Sequence, residues 1–140
     1  MATFTLEVLT PFGRFNVGSQ VSAIFMTSEG EMEILAGHEP MVAAIEPGIL
    51  RVRGESGSWV AAVGEGFVRI KETATTILVD SAEAGSEINA ERARAALQRA
   101  QERLDSDTPA WIRAQSKKAV ARAIARIKAS GEERGRRIQK

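Results

Sequence analysis

Thr75-Thr76-Ile77-Leu78-Val79 is followed, ten residues on, by Asn89-Ala90-Glu91-Arg92-Ala93-Arg94-Ala95-Ala96-Leu97, and between the two the pattern of the chain changes. The first stretch is a β-branched run of the kind that packs on a pleated surface. The second begins a stripe of Ala93, Ala96, Leu97, Ala100 and Leu104 at i, i+3, i+4, i+7 and i+11, one face of an α-helix. Asn89 stands where its side-chain oxygen can accept from an orphan backbone N–H at the helix start. A sheet ends and a helix begins within a few residues.

Toward the N-terminus, Phe4, Leu6 and Val8 alternate with Thr5 and Glu7, and Phe15 and Val17 repeat the pattern. Short apolar runs follow at Val21–Met26, Met32–Leu35, Met41–Ile45, Ile49–Val52, Trp59–Val63 and Phe67–Ile70. Breakers stand between them, among them Pro11, Gly13, Gly30, Gly37, Pro40, Pro47-Gly48, Gly54, Gly57, Gly64 and Gly66. About nine short strands at this spacing predict an antiparallel sandwich over residues 1–84. Gly64-Glu65-Gly66 lacks a phosphate-loop pattern and reads as a hairpin turn.

Toward the C-terminus, Asp105-Ser106-Asp107-Thr108-Pro109 breaks the helical period. Asp107 or Thr108 is expected to cap a second helix with Pro109 in its first turn. That helix is expected to run to about Ser130-Gly131, burying Ile112, Ala119, Val120, Ala123, Ile124 and Ile127, with Glu132 to Lys140 fraying. Residues 85–140 thus form a two-helix hairpin, and the fold class is an all-β sandwich followed by an α-helical hairpin. Twelve of the hairpin's 56 residues are alanine, and a buried methyl stabilises far less than a buried Leu or Ile, each about 1.5–3 kcal/mol. Strong helix propensity with weak docking suits an arm that changes its packing as a unit.

Charge divides the 140-residue chain at the same place. Residues 1–84 carry 5 Lys/Arg against 11 Asp/Glu, and residues 85–140 carry 14 against 7, so a net charge of +1 hides halves of −6 and +7. There are no cysteines, which excludes a disulfide scaffold and a thiolate metal site. No apolar run approaches the roughly 20 residues of a membrane span, and the N-terminus shows no secretory signal. His38 is the single histidine and has no nucleophile–base partner in the sequence, so neither catalysis nor a metal site is expected. Lys118, Arg122 and Arg126 form one cationic row, and Arg92, Arg99 and Arg103 another. Such rows fit a solvated face, a nucleic-acid-binding adaptor, or a site for acidic protein surfaces or phosphates.

Glu29-Gly30-Glu31-Met32-Glu33-Ile34-Leu35-Ala36-Gly37-His38-Glu39-Pro40-Met41, followed by Pro47-Gly48-Ile49-Leu50-Arg51, closely resembles the signature of the epsilon subunit of F-type ATP synthases. The resemblance spans essentially the whole chain, departing from the common pattern at Glu33, Ala36 and Glu39. It implies a non-catalytic rotor subunit in the central stalk, on the cytoplasmic face of a bacterial inner membrane. Its partners would be the gamma subunit and the c-ring, with beta and alpha subunits when the hairpin extends. It implies no nucleic acid, and membrane contact only through the complex. Glu31 and His38 become candidates for rotor contact, and Lys118, Arg122 and Arg126 for contact with beta. No cofactor is required, but some members of that family bind regulatory ATP through I/L-D-x-x-R-A. Ile88-Asn89-Ala90-Glu91-Arg92-Ala93 has that frame with Asn for Asp, which by resemblance makes Glu83, Ile88, Asn89, Arg92, Ala93, Arg122 and Arg126 candidate ATP ligands.

Overall fold

The computed structural model describes residues 2–106 and 108–138. Its strands are β1 (Phe4–Thr10), β2 (Gly13–Gln20), β3 (Ser22–Thr27), β4 (Gly30–Leu35), β5 (Met41–Ile45), β6 (Gly48–Gly54), β7 (Gly57–Val63), β8 (Gly66–Ile70), β9 (Thr75–Val79) and β10 (Ala82–Ala84). They hydrogen-bond in the order β10-β7-β6-β3-β5-β8-β9-β1-β2, with β4 on the other side of β3. β3 and β5 share a single pair, Thr27 with Ile45, and there the ladder folds over on itself. β10, β7, β6, β3 and β4 make one layer of the sandwich; β5, β8, β9, β1 and β2 make the other. Between them lie Leu6, Val8, Phe25, Ile34, Leu50, Val52, Val68 and Ile77, each at most 2% exposed. The alternation seen in the sequence therefore points inward as expected for the sandwich.

Two local expectations fail. Gly64-Glu65-Gly66 is not a hairpin turn, because β7 pairs with β6 and β10 whereas β8 pairs with β5 and β9. The tripeptide carries the chain from one layer to the other. A Cβ on Gly66 would collide with the Leu78 carbonyl, so this position tolerates no side chain. β10 went unseen because three half-buried residues leave no periodicity to read.

A single 3₁₀ turn at Gly85–Glu87 leads into α1 (Ala90–Asp105) and α2 (Ala110–Ile138). Asn89 caps α1 as its chemistry predicts, its side-chain oxygen accepting from the Arg92 N–H at 3.0 Å. The expected stripe holds: Ala93 and Ala100 are buried on α2, with Ala96, Leu97 and Leu104 half-buried. α1 packs against α2, and α2 packs against β6, β7 and the 3₁₀ turn. α2 therefore needs two apolar faces. Ser116, Val120, Ala123, Ile127 and Ser130 fall on one; Ala125 and Ala129, on the opposite side, meet Ile49, Val60, Ala62 and Ile88. Ile124, expected inside, lies between the two faces and is 36% exposed.

α2 also outruns the expected stop near Gly131 and continues to Ile138. Glycine weakens a helix interior by only about 1 kcal/mol, and Arg51 of β6 grips Glu132 just beyond it. Thr108 does not cap α2: its hydroxyl donates back to the Arg103 carbonyl at 3.4 Å, closing α1 instead. The Pro109 carbonyl accepts from Ile112 and Arg113 N–H groups, opening α2 one residue later than expected. The alternative cap, Asp107, and the terminal Gln139 and Lys140 lie outside the described residues.

Candidate functional site

The place where arm and sandwich meet collects most of the chemistry. On β6 the inward residues Leu50 and Val52 alternate with Ile49 and Arg51, which face α2. The apolar part of the contact is six residues, Ile49, Val60, Ala62, Ile88, Ala125 and Ala129. Among the described residues four ion pairs surround it. Arg51 donates from Nε and Nη2 to the Glu132 carboxylate at 3.1 and 2.7 Å, and from Nη1 to Glu31 at 3.2 Å. Arg126 Nε donates to Glu83 at 2.8 Å. Lys118 Nζ lies 2.9 Å from Glu65. The hydrogen bond to Glu132 lifts the Arg51 guanidinium further above its ordinary range, and the Glu65 bond raises the Lys118 ammonium likewise. The Arg51 and Arg126 pairs are about one-third exposed and contribute about 0–1 kcal/mol each.

The residues of the Ile88-Asn89-x-x-Arg92-Ala93 frame scatter around this contact. Ile88 is buried in it, Glu83 and Arg126 are bonded across its edge, and Ala93 is fully buried between the helices. The Asn89 oxygen is occupied as a helix cap, and Arg92 is exposed. Arg122 lines a cleft of about 580 Å³ with Glu65, Arg103, Trp111 and Lys118. Of the row Lys118-Arg122-Arg126, the two end residues pair with the sandwich, while Lys118 stays half exposed.

Glu31 and His38 are not brought together. Glu31 sits at the start of β4, held by Arg51; His38 lies beyond its far end, its N–H donating to the Leu35 carbonyl and Nδ1 2.8 Å from the Glu39 carbonyl. His38 lines a groove of about 400 Å³ with Phe4, Pro40, Lys71 and Glu72.

Sequence reading missed a surface on the layer that the arm does not cover. Ala44 of β5 faces Phe67 of β8, Phe67 faces Leu78 of β9, and Leu78 faces Leu9 of β1. Phe67 is 59%, Leu78 46% and the neighbouring Val42 64% exposed. Strands with apolar residues at both alternating positions, as in Ile77-Leu78-Val79, were the available signal. A contiguous exposed apolar row of this kind marks a partner surface. Among the described residues no three metal-binding side chains cluster, and no helix is long and apolar enough to cross a membrane.

Residues 3–85 match the family described as ATP synthase, Delta/Epsilon chain, beta-sandwich domain, and residues 86–131 its long alpha-helix domain. An ATP synthase epsilon chain from Ruminiclostridium cellulolyticum is 46% identical over 96% of this chain and 100% of that protein. One from Staphylococcus haemolyticus is 38% identical over 91% of this chain and 96% of its own length. Among solved structures, a chain of the Euglena gracilis mitochondrial ATP synthase OSCP/F1/c-ring assembly superposes with a TM-score of 0.77 at 28% identity, covering 86% of this chain and 77% of that one. A chain of the Tetrahymena thermophila mitochondrial ATP synthase central stalk and c-ring shares the fold, with a TM-score of 0.64 at 19% identity over 91% and 96%.

Proposed function

The chain belongs to the delta/epsilon family of ATP synthase subunits, and on that premise we propose that it is a non-catalytic central-stalk subunit. In this reading the sandwich joins the gamma subunit to the c-ring at the cytoplasmic face of a bacterial membrane. The helical arm restrains ATP hydrolysis by leaving the sandwich and extending along gamma toward the beta and alpha subunits. One observation supports the arm's role above the others: six apolar residues, three of them alanine, and a few solvated ion pairs hold it. That contact is small enough to open without disturbing the separate core between the sheet layers. Once undocked, Lys118, Arg122 and Arg126 lose their acidic neighbours on the head and present a cationic row to acidic surfaces of beta. Phe67, Leu78 and Val42 form the face best suited to gamma, and Glu31 and His38 remain the proposed rotor contacts.

The same reading makes ATP a regulatory ligand of the docked arm, held by Glu83, Ile88, Asn89, Arg92, Ala93, Arg122 and Arg126. Ligand that binds only the docked form stabilises it by mass action. Deleting residues 85–140 in a reconstituted complex should leave rotor assembly intact and raise hydrolysis; unchanged hydrolysis refutes the regulatory role. Calorimetry of the isolated chain with ATP should give saturable heat, and its absence at millimolar ligand refutes the ATP site.

A further inference from the structure

Ile124, the large apolar residue that α2 leaves out of both its packed faces, lines a cleft of about 300 Å³ between arm and head. The head supplies Met26 of β3, Ile49 of β6 and Pro47 just before it; the arm supplies Ala121, Ile124 and Ala125 of α2. Met26 is 37% and Ile124 36% exposed, so two large apolar side chains border a space that neither fills. A cleft of this size lies at the small end of ligand pockets, which run from about 300 to 1,000 Å³. Three charged residues complete the lining. Arg51 is already committed, holding Glu31 within the cleft and Glu132 beside it. Lys128 lies one turn beyond Ile124 on the same side of α2. It is exposed, and among the described residues it has no acidic partner.

We propose that this cleft binds a small aliphatic carboxylate, its chain lying among Met26, Ile49 and Ile124 and its carboxylate paired with Lys128. The lining sets the chemistry. Met and Ile walls favour a flexible hydrocarbon body over a sugar or a base. One uncommitted ammonium calls for one negative charge, and a single carboxylate supplies it. A dianion would find no second free cation, because Arg51 already serves two carboxylates. Both walls are needed, so the ligand binds only while arm and head are in contact, and by mass action it holds them together. The site shares no residue with the ATP ligands proposed above. It rests on the docked contact itself and not on the arm's role in hydrolysis.

Calorimetry of the full chain with octanoate should give saturable heat. Each buried methylene raises affinity about fourfold, so hexanoate should bind about 15-fold more weakly than octanoate. Octylamine, with the charge reversed, should give no saturable heat. Lys128→Met keeps the aliphatic stem and should weaken octanoate about tenfold, the scale of one charge-assisted hydrogen bond. Ile124→Glu places a carboxylate one turn before Lys128, where it occupies the ammonium, and should abolish binding. Circular dichroism confirms that both variants stay helical. Octanoate should also slow hydrogen exchange in α2 while leaving β1 and β9 unchanged. Absence of saturable octanoate binding at millimolar concentration overturns the proposal, as does octylamine binding equally well, or α2 exchanging faster with octanoate. Octanoate binding that persists in Lys128→Met and Ile124→Glu but is lost in Phe67→Ser overturns it too, and places the chain on the exposed row of β5, β8 and β9.

Discussion

Gly85→Ala should prise the arm from the sandwich while leaving the sandwich folded. Gly85 is buried at the turn between β10 and α1, and a Cβ there would sit 2.9 Å from the Ala129 carbonyl oxygen and 2.9 Å from Val60 Cγ2. No positive φ is involved, so the penalty is steric alone. One of the two crowded atoms is helix backbone, which yields only if α2 moves as a body. Overpacking of this size costs about 1–3 kcal/mol. Ala129 lies on the arm, so its share of the cost falls on the docked state and not on the undocked one. The undocked population should therefore rise about 5- to 150-fold. Hydrogen exchange read by mass spectrometry should show it: amides of β7's outer edge and α2 exchange faster, while those of β1, β8 and β9 keep their protection. Ser86→Ala, exposed one residue away, is the control. In the assembled synthase the same change should deepen inhibition of hydrolysis. Exchange in α2 indistinguishable from the parent chain, with Gly85→Ala folded, refutes the claim that this contact limits release.

Arg51→Met keeps the aliphatic stem but removes the bonds to Glu132 and Glu31, and should raise α2 exchange about two- to fivefold, as a partly solvated pair allows. The Lys118 ammonium is raised by Glu65, so its contribution to docking is intact below its unfolded value near 10.4 and is lost as pH rises through the higher docked value. Arm release should accordingly increase above about pH 10.4 in the parent chain and show no such step in Lys118→Met, followed by α2 proteolysis. Phe67→Ser should change thermal stability little, since the ring already faces solvent, yet weaken gamma binding about 30-fold if the ring is an anchor. Asn89→Asp retains a capping oxygen and supplies a carboxylate, and should leave helicity unchanged while altering ATP affinity about tenfold, read by calorimetry.

The sandwich was legible because a half-buried strand must alternate, as Leu6 and Val8 do with Thr5 and Glu7. α1 was equally legible, since a helix with one neighbour needs only one stripe. α2 was misread where it has two neighbours. Ala125 and Ala129 are too small to stand out as a stripe, yet they are what the sandwich touches, and Ile124 is large and apolar but falls between the faces. The crossing at Gly64-Glu65-Gly66 was misread for a different reason. Glycine shows that side chains are excluded, but not that the strands on either side lie in different layers; the excluder at Gly66 is the Leu78 carbonyl of β9, the strand paired with β8. The exposed row on β5, β8 and β9 stayed hidden because apolar residues facing solvent and apolar residues facing a core look alike until the layers are known.

The division of charge takes on its meaning only in the folded molecule. A head of −6 and an arm of +7 read, in the sequence, as two modules with separate partners. The structure makes them each other's partner. Glu65 and Glu83 of the head take Lys118 and Arg126 of the arm, and Arg51, one of the head's few cations, reverses the polarity by holding Glu132. Pairs at a wet interface stabilise weakly but fix register and discourage mismatched docking, and an arm that meets the head mainly through alanines needs that guidance, since small apolar contacts slide. The same cations cannot serve the head and an acidic partner at once, so any surface that recruits Lys118 or Arg126 must first release the arm. Competition for a small set of side chains is then enough to make docking and extension mutually exclusive, without a separate lock.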